Sequence, residues 1–80
     1  MENDMKNFLV DLVSEIQEKY NESLNPTEGE SAEETNYRLG SNFSYYEVLE
    51  LIKNQLNSFG YSPEELGTIT PLIGEKIKRQ

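Results

Sequence analysis

The chain reads as an all-α protein in which two long helices, joined by an acidic linker, are followed by two short helices at the carboxyl end. Three observations predict this. Apolar residues recur at steps of three and four along residues 5–20 and again along 45–59, a spacing that gathers them on one helical face. The syntax aromatic, serine, any pair, glutamate, aliphatic occurs both in FSYYEV (43–48) and in YSPEEL (61–66), and it is the signature of a helix start. No stretch of strand length alternates apolar and polar residues.

The first helix covers Met5 to Tyr20. At about 100° per residue, Met5, Phe8, Leu9, Leu12, Val13, Ile16 and Tyr20 fall within one stripe roughly 140° wide, with Asp11, Glu15 and Glu18 mostly off it. Asn3 or Asp4 is expected to cap its start, and Asp4 also suits the positive end of the helix dipole.

Residues 21–36, NESLNPTEGESAEETN, carry five glutamates, no base, and only Leu24 and Ala32 as apolar side chains. So little burial cannot offset the entropy of ordering the segment. The expectation is a mobile acidic linker with at most a helical turn over Ala32 to Thr35.

The second long helix is expected to begin at Ser44. Its hydroxyl can accept the Glu47 amide while the Glu47 carboxylate reaches back, and Phe43 can pack on Val48 as a hydrophobic staple. Tyr45, Val48, Leu49, Ile52, Leu56 and Phe59 then share a face opposite Glu50, Lys53, Asn54 and Asn57, and Gly60 stands where a left-handed cap belongs. At the next start Ser62 is the expected cap, Pro63 takes the first helical position, Glu65 closes the box and Tyr61 can reach Leu66. Gly67 makes that helix short. Thr70 and Pro71 open the last expected helix, PLIGEKIKRQ, with Leu72, Ile73 and Ile77 on one face and Lys76, Lys78 and Arg79 toward its carboxyl end. The segments between and after the signatures differ in length and pattern, so no stacked repeat follows. The stretch GYSPEEL, with the aliphatic residues after it, is similar to the second helix of the small two-helix aspartyl-phosphate phosphatases of the sporulation phosphorelay. That family's Ser-Gln-x-x-x-Asp signature is absent, so the resemblance implies no activity for this chain.

Eighty residues leave room for one domain, residues 1–80, and 35% hydrophobic residues is below the roughly 45–50% apolar usage of ordinary globular chains. Either part of the chain is disordered or a partner completes so thin a core, most simply a second copy in a two-fold dimer. The formal net charge of −8 repels phosphate backbones and anionic lipid heads, so nucleic acid and membranes are not expected partners, whereas basic protein surfaces are. The apolar run near the amino terminus is broken by Asp11, and no stretch approaches the length that spans a bilayer, so the chain is expected in the cytoplasm.

Histidine and cysteine are both absent. Their absence excludes disulfides, thiolate chemistry and imidazole general catalysis, and it removes the commonest metal ligands. Aligning Gly29 with the glycine of an EF-hand loop puts Leu24, Pro26 and Thr35 where ligands are needed, and the match fails. The glutamates sit mainly on polar faces, in caps or in the linker, so no catalytic residue, cofactor, metal or small-molecule substrate is expected and the chain is not read as an enzyme. LNSFGYSPEEL has the form of a helix-turn-helix, but its recognition segment, Ser62 to Ile69, would offer Glu64 and Glu65 and no base to DNA. Two N-x-S sequons, at Asn21 and Asn42, carry weight only in a secreted chain.

The expected function is therefore a non-catalytic protein-protein interaction or regulatory module, and the size, charge and missing His and Cys suit a small bacterial or phage factor. Tyr37, Arg38 and Tyr46 are the candidate partner-binding residues, because Tyr and Arg are enriched where interfaces carry energy and all three lie off the expected apolar faces. The alternative is an acidic inhibitor that imitates nucleic acid before a basic target. A mimic needs its acids in a fixed array on rigid helices, whereas the sequence places five in the expected linker.

Overall fold

A computed structural model describes residues 1–77. It holds two α-helices, α1 (Asn3–Glu22) and α2 (Ala32–Ser58), and a single 3-10 turn, η1 (Pro63–Leu66). Among the described residues there is no strand. α1 and α2 pack antiparallel: the Asn42 amide donates to Tyr20 O and Ser23 Oγ near the connecting turn, while Leu56 and Phe59 stand beside Met5 and Leu9 at the other end.

The cap of α1 is neither Asn3 nor Asp4 but Glu2, which makes no side-chain capping bond. It ends where Pro26 approaches, since a residue before proline is pushed out of the helical region. α2 differs more. It starts not at Ser44 but at Ser31, whose hydroxyl accepts the Glu34 amide at 3.1 Å while Glu34 Oε1 accepts the Ser31 amide at 3.4 Å. Ser44 lies in mid-helix, exposed. The expected linker over 21–36 is thereby corrected: only residues 23–31 lie outside the helices, and Gly29 turns the chain there with φ 75°. Glu30 ties this turn to α2. Its carboxylate accepts from Thr35 Oγ1 at 2.6 Å and from Arg38 Nε and Nη2 at 2.9 and 3.0 Å, and Arg38 Nη1 reaches Ser23 O at 3.1 Å.

At its far end α2 closes as its sequence indicates. Gly60 adopts φ 83°, its amide donates to Asn57 O, and the Tyr61 amide donates to Leu56 O. That pair is a Schellman cap, which uses glycine because the left-handed region burdens any residue with a Cβ.

The carboxyl segment is the second correction. The box expected at Ser62 and Glu65 does not form. Ser62 donates its hydroxyl to the Glu64 carboxylate instead, and η1 is a turn of 3-10 helix. Residues 67–77 contain no helix, so the last expected one is absent there, while Lys78 and Arg79 lie outside the described residues. The four residues Pro63–Leu66 are too few to nucleate an α-helix, and Gly67 and Gly74 turn the chain with φ 84°.

What holds this segment is α1. Gln17 Nε2 donates to Thr68 O and Ile69 O at 2.8 and 3.1 Å, and Tyr20 Oη donates to Glu75 O at 2.8 Å. Asn21 grips Ile77 both ways, donating to its carbonyl at 2.9 Å and accepting from its amide at 2.8 Å. Ile69 and Ile77 complete a core otherwise made of Val13, Tyr20, Leu49 and Leu56. Segment 61–77 is thus a strap laid over one side of the hairpin.

The strap covers only that side. The radius of gyration is 14.2 Å, against about 11.6 Å for a compact chain of this length, and the extents are 46 × 22 × 17 Å. Such a slab has a second broad side, and no segment of the described chain crosses it.

Candidate functional site

The uncovered side can be derived from helix geometry. On α1, Val13, Gln17 and Tyr20 face the interior; Met5, Phe8 and Leu12 lie about 110° away at about 100° per residue. On α2 the buried row is Asn42, Leu49 and Leu56, and Val48, Leu51 and Gln55 lie about 100–160° away in the same angular sense. Because the helices are antiparallel, equal angular senses put both rows on one side of the slab. Gln17 and Asn21, which hold the strap, turn the opposite way around α1, so the rows and the strap lie on opposite sides.

The rows are exposed and apolar. Phe59 is 74% exposed, Leu51 62%, Phe8 59% and Met5 52%, with Val48 and Leu12 also exposed. Between them, at the end of the hairpin where the strap begins, lies a groove of about 370 Å³, walled by Met5, Leu9, Leu51, Ile52, Leu56 and Phe59 and closed at one end by Tyr61. Apolar side chains grouped in this way are unusual on a soluble helical surface, whereas singly scattered ones are ordinary. Exposed acids stand on the outer flanks: Asp4, Asp11 and Glu15 on α1, and Glu47 on α2.

The residues singled out in the sequence lie elsewhere. Tyr37 is 80% exposed and, with Arg38 and Tyr45, lines a polar concavity of about 580 Å³ near the interhelical turn. The Arg38 guanidinium is already engaged by Glu30 and Ser23 O, and its side chain is only 17% exposed. Arg38 in turn holds the Glu30 carboxyl down to about 2 from its ordinary 4.5, mainly by their hydrogen bond, with Thr35 adding to it. Tyr46 is nine positions from Tyr37 and so about 180° around α2. It is half-buried against the core, with its hydroxyl donating to Glu50 Oε1 at 3.3 Å. Tyr37 and Arg38 are brought together; Tyr46 is not brought to them.

No protein family, curated protein or solved structure matches this chain.

The geometry must therefore speak alone. The polar concavity has one lysine, Lys19, against Glu22, Glu33 and Glu34, and its arginine is neutralised at contact distance. Among the described residues no group of His, Cys, Asp or Glu is arranged to hold a metal ion. No helix of the described chain is long and apolar enough to cross a membrane.

Sequence reasoning had Met5, Phe8, Leu12, Val48 and Phe59 in hand but assigned them to the interior. A signal against that assignment was available. An apolar stripe about 140° wide is broader than the roughly 100° that a surface helix needs to face a core. With burial centred on Val13, Gln17 and Tyr20, one edge of that stripe is left outside. Gln17 could not be found by pattern, since its burial is compensated by bonds to a strap more than fifty residues away in sequence.

Proposed function

We propose that this chain is a non-catalytic protein-binding module whose docking surface is the uncovered side of the hairpin. The observation that carries the reading is the apolar groove lined by the exposed side chains of Met5, Leu51 and Phe59, with exposed Phe8 one turn further along α1. Burying it removes apolar area from water at roughly 25 cal/mol per Å², the main favourable term in association. The thin core supports the same reading: more large apolar side chains are exposed than buried among the described residues.

The test is site-specific photo-crosslinking in the native cells. A photoreactive residue at Leu51 or Phe8 is expected to yield a discrete adduct with another polypeptide, and the same residue at exposed Asn36, on the outer side of α2, is expected to yield none. Adducts of equal intensity from Asn36, or none from Leu51 and Phe8, would refute the reading.

One observation favours a second reading, the acidic mimic of nucleic acid. Glu22 lies in α1, Glu33 and Glu34 lie in α2 and Glu30 is pinned by Arg38, so most of the acids assigned to a mobile linker stand on ordered structure. Salt separates the two readings. Binding by a mimic collapses at about 0.5 M salt, where charges are screened within a few ångströms, whereas apolar docking persists.

A further inference from the structure

We propose that the uncovered side receives an amphipathic helix of a different protein, one whose apolar stripe is flanked by lysine or arginine. This inference rests on the reading of that side as the docking surface and adds the chemistry of its occupant.

Shape is the first argument. From Leu51 to Phe59 the groove follows the α2 axis for about 12 Å, at about 1.5 Å per residue, which is just over two turns of a helix. Two helices packed side by side leave a trough along their seam, and a third helix fills it with side chains at i, i+3 or i+4, and i+7. An extended strand would need unpaired main-chain groups to bond with. The walls of the trough are helices, whose amides and carbonyls are paired internally, so strand addition has no edge to use.

Charge selects among helices. Asp4, Asp11 and Glu15 lie within about 40° of one another on α1, on the side of the Met5, Phe8 and Leu12 row that points away from the core. Glu47 holds the matching flank of α2, about one turn from Leu51. All four are exposed, and among the described residues none is in an ion pair. No lysine or arginine interrupts these flanks over the length of the groove. Lys6 turns toward the interior side of α1, Lys53 pairs with Glu50, and Lys19 stands beyond Leu12 at the turn end, lining the polar concavity. A helix seated in the trough therefore has carboxylates along both edges. Basic flanks would be attracted there and acidic flanks repelled.

The same flanks argue against a second copy. Whichever way two hairpins were turned, α1 or α2 of one would lie against α1 or α2 of the other, and every such edge carries acids. Each chain also brings a net charge of −8. Like charges set opposite one another suppress a pairing even where apolar surfaces fit.

The experiment uses the full chain and two synthetic helical peptides of about 15 residues, four turns each. Both carry leucines at i, i+3, i+4 and i+7; one has lysines on its flanks and the other glutamates. Binding is read by fluorescence anisotropy at about 0.05 M and about 0.5 M salt. The lysine-flanked peptide is expected to bind at least tenfold more tightly at low salt, with the gap narrowing to about threefold at high salt as screening shortens to a few ångströms. Asp11→Asn, Glu15→Gln and Glu47→Gln together are expected to weaken that peptide about fivefold or more without altering the circular dichroism, because all three side chains are exposed. Leu51→Lys is expected to abolish binding of both peptides. If the two peptides bind equally and both are lost in Leu51→Lys, the docking side stands and the basic partner is overturned. If neither binds and sedimentation shows a dimer that Leu51→Lys dissociates, the occupant is a second copy and the proposal is overturned. If neither binds and the chain stays monomeric, both the proposal and the docking reading fall.

Discussion

Asn21→Ala tests whether the strap belongs to the fold. The Asn21 side chain makes two bonds to the Ile77 main chain, at 2.9 and 2.8 Å, both partly buried. Alanine removes both and leaves the Ile77 amide and carbonyl to find water at the edge of the core. At about 1 kcal/mol net per neutral hydrogen bond, the expected loss is about 2 kcal/mol. If Ile77, only 8% exposed in the native chain, undocks as well, burial of an isoleucine adds up to about 2 kcal/mol more. The assay is urea denaturation followed by far-ultraviolet circular dichroism. The starting helicity should be unchanged, since α1 and α2 lie outside the strap, while the midpoint falls. In a chain of this size about 2 kcal/mol lowers the melting temperature by some 8–16 °C. Asn57→Ala is the control, an exposed asparagine of α2 whose change should lie within about 0.5 kcal/mol of wild type. An Asn21→Ala chain as stable as wild type would mean that the strap contributes nothing, and the derivation of a covered and an uncovered side would lose its basis.

Ser31→Ala is expected to cost about 1 kcal/mol by stranding the Glu34 amide, whereas Ser44→Ala, in the exposed interior of α2, is expected to be neutral or to stabilise by a few tenths; the reverse order in a denaturant titration would put the helix start back at Ser44. Leu49→Ala, at a position 0% exposed, should cost about 2–5 kcal/mol, and Leu51→Ala, 62% exposed, less than about 1 kcal/mol; similar losses measured by thermal melts would contradict the assignment of the two faces. Stability should fall as the pH drops from 4.5 toward 2, because the Glu30 carboxyl is held at about 2 in the folded chain and titrates at its ordinary 4.5 when unfolded. Its contribution is therefore complete above pH 4.5 and lost on acidification through that window. Glu30→Gln should flatten this part of the profile, and an unchanged slope would show that Arg38 does not hold Glu30 as described.

Much of the architecture was legible in the residue order because it rests on local physics. The stripe from Met5 to Tyr20 can be satisfied only by a helix, and Gly60 after the periodic run to Phe59 marks the cap that forms there. The absence of strand alternation excluded a sheet. Local syntax did not decide where α2 starts, because Ser-x-x-Glu occurs at Ser31 as well as at Ser44 and either box can satisfy the same number of amides. The structure uses the first, since a helix running from Ala32 brings Arg38 to Glu30 and Ser23 O, and Asn42 to Tyr20 O. Those contacts form only once the hairpin has closed, and no window of sequence contains them.

The candidate surface divides in the same way. The sequence by itself determined that α1 and α2 each carry a broad apolar row, that acids lie beside them, and that no histidine or cysteine is present for chemistry. Only the tertiary structure decided which part of each row is interior. One neighbouring helix covers a limited arc, and the strap, held by Gln17, Tyr20 and Asn21, was laid on the side away from Met5, Phe8 and Leu51. Periodicity reports that a residue shares a face with others; it carries no information about what is packed against that face, because the choice is made by contacts between segments far apart in the chain.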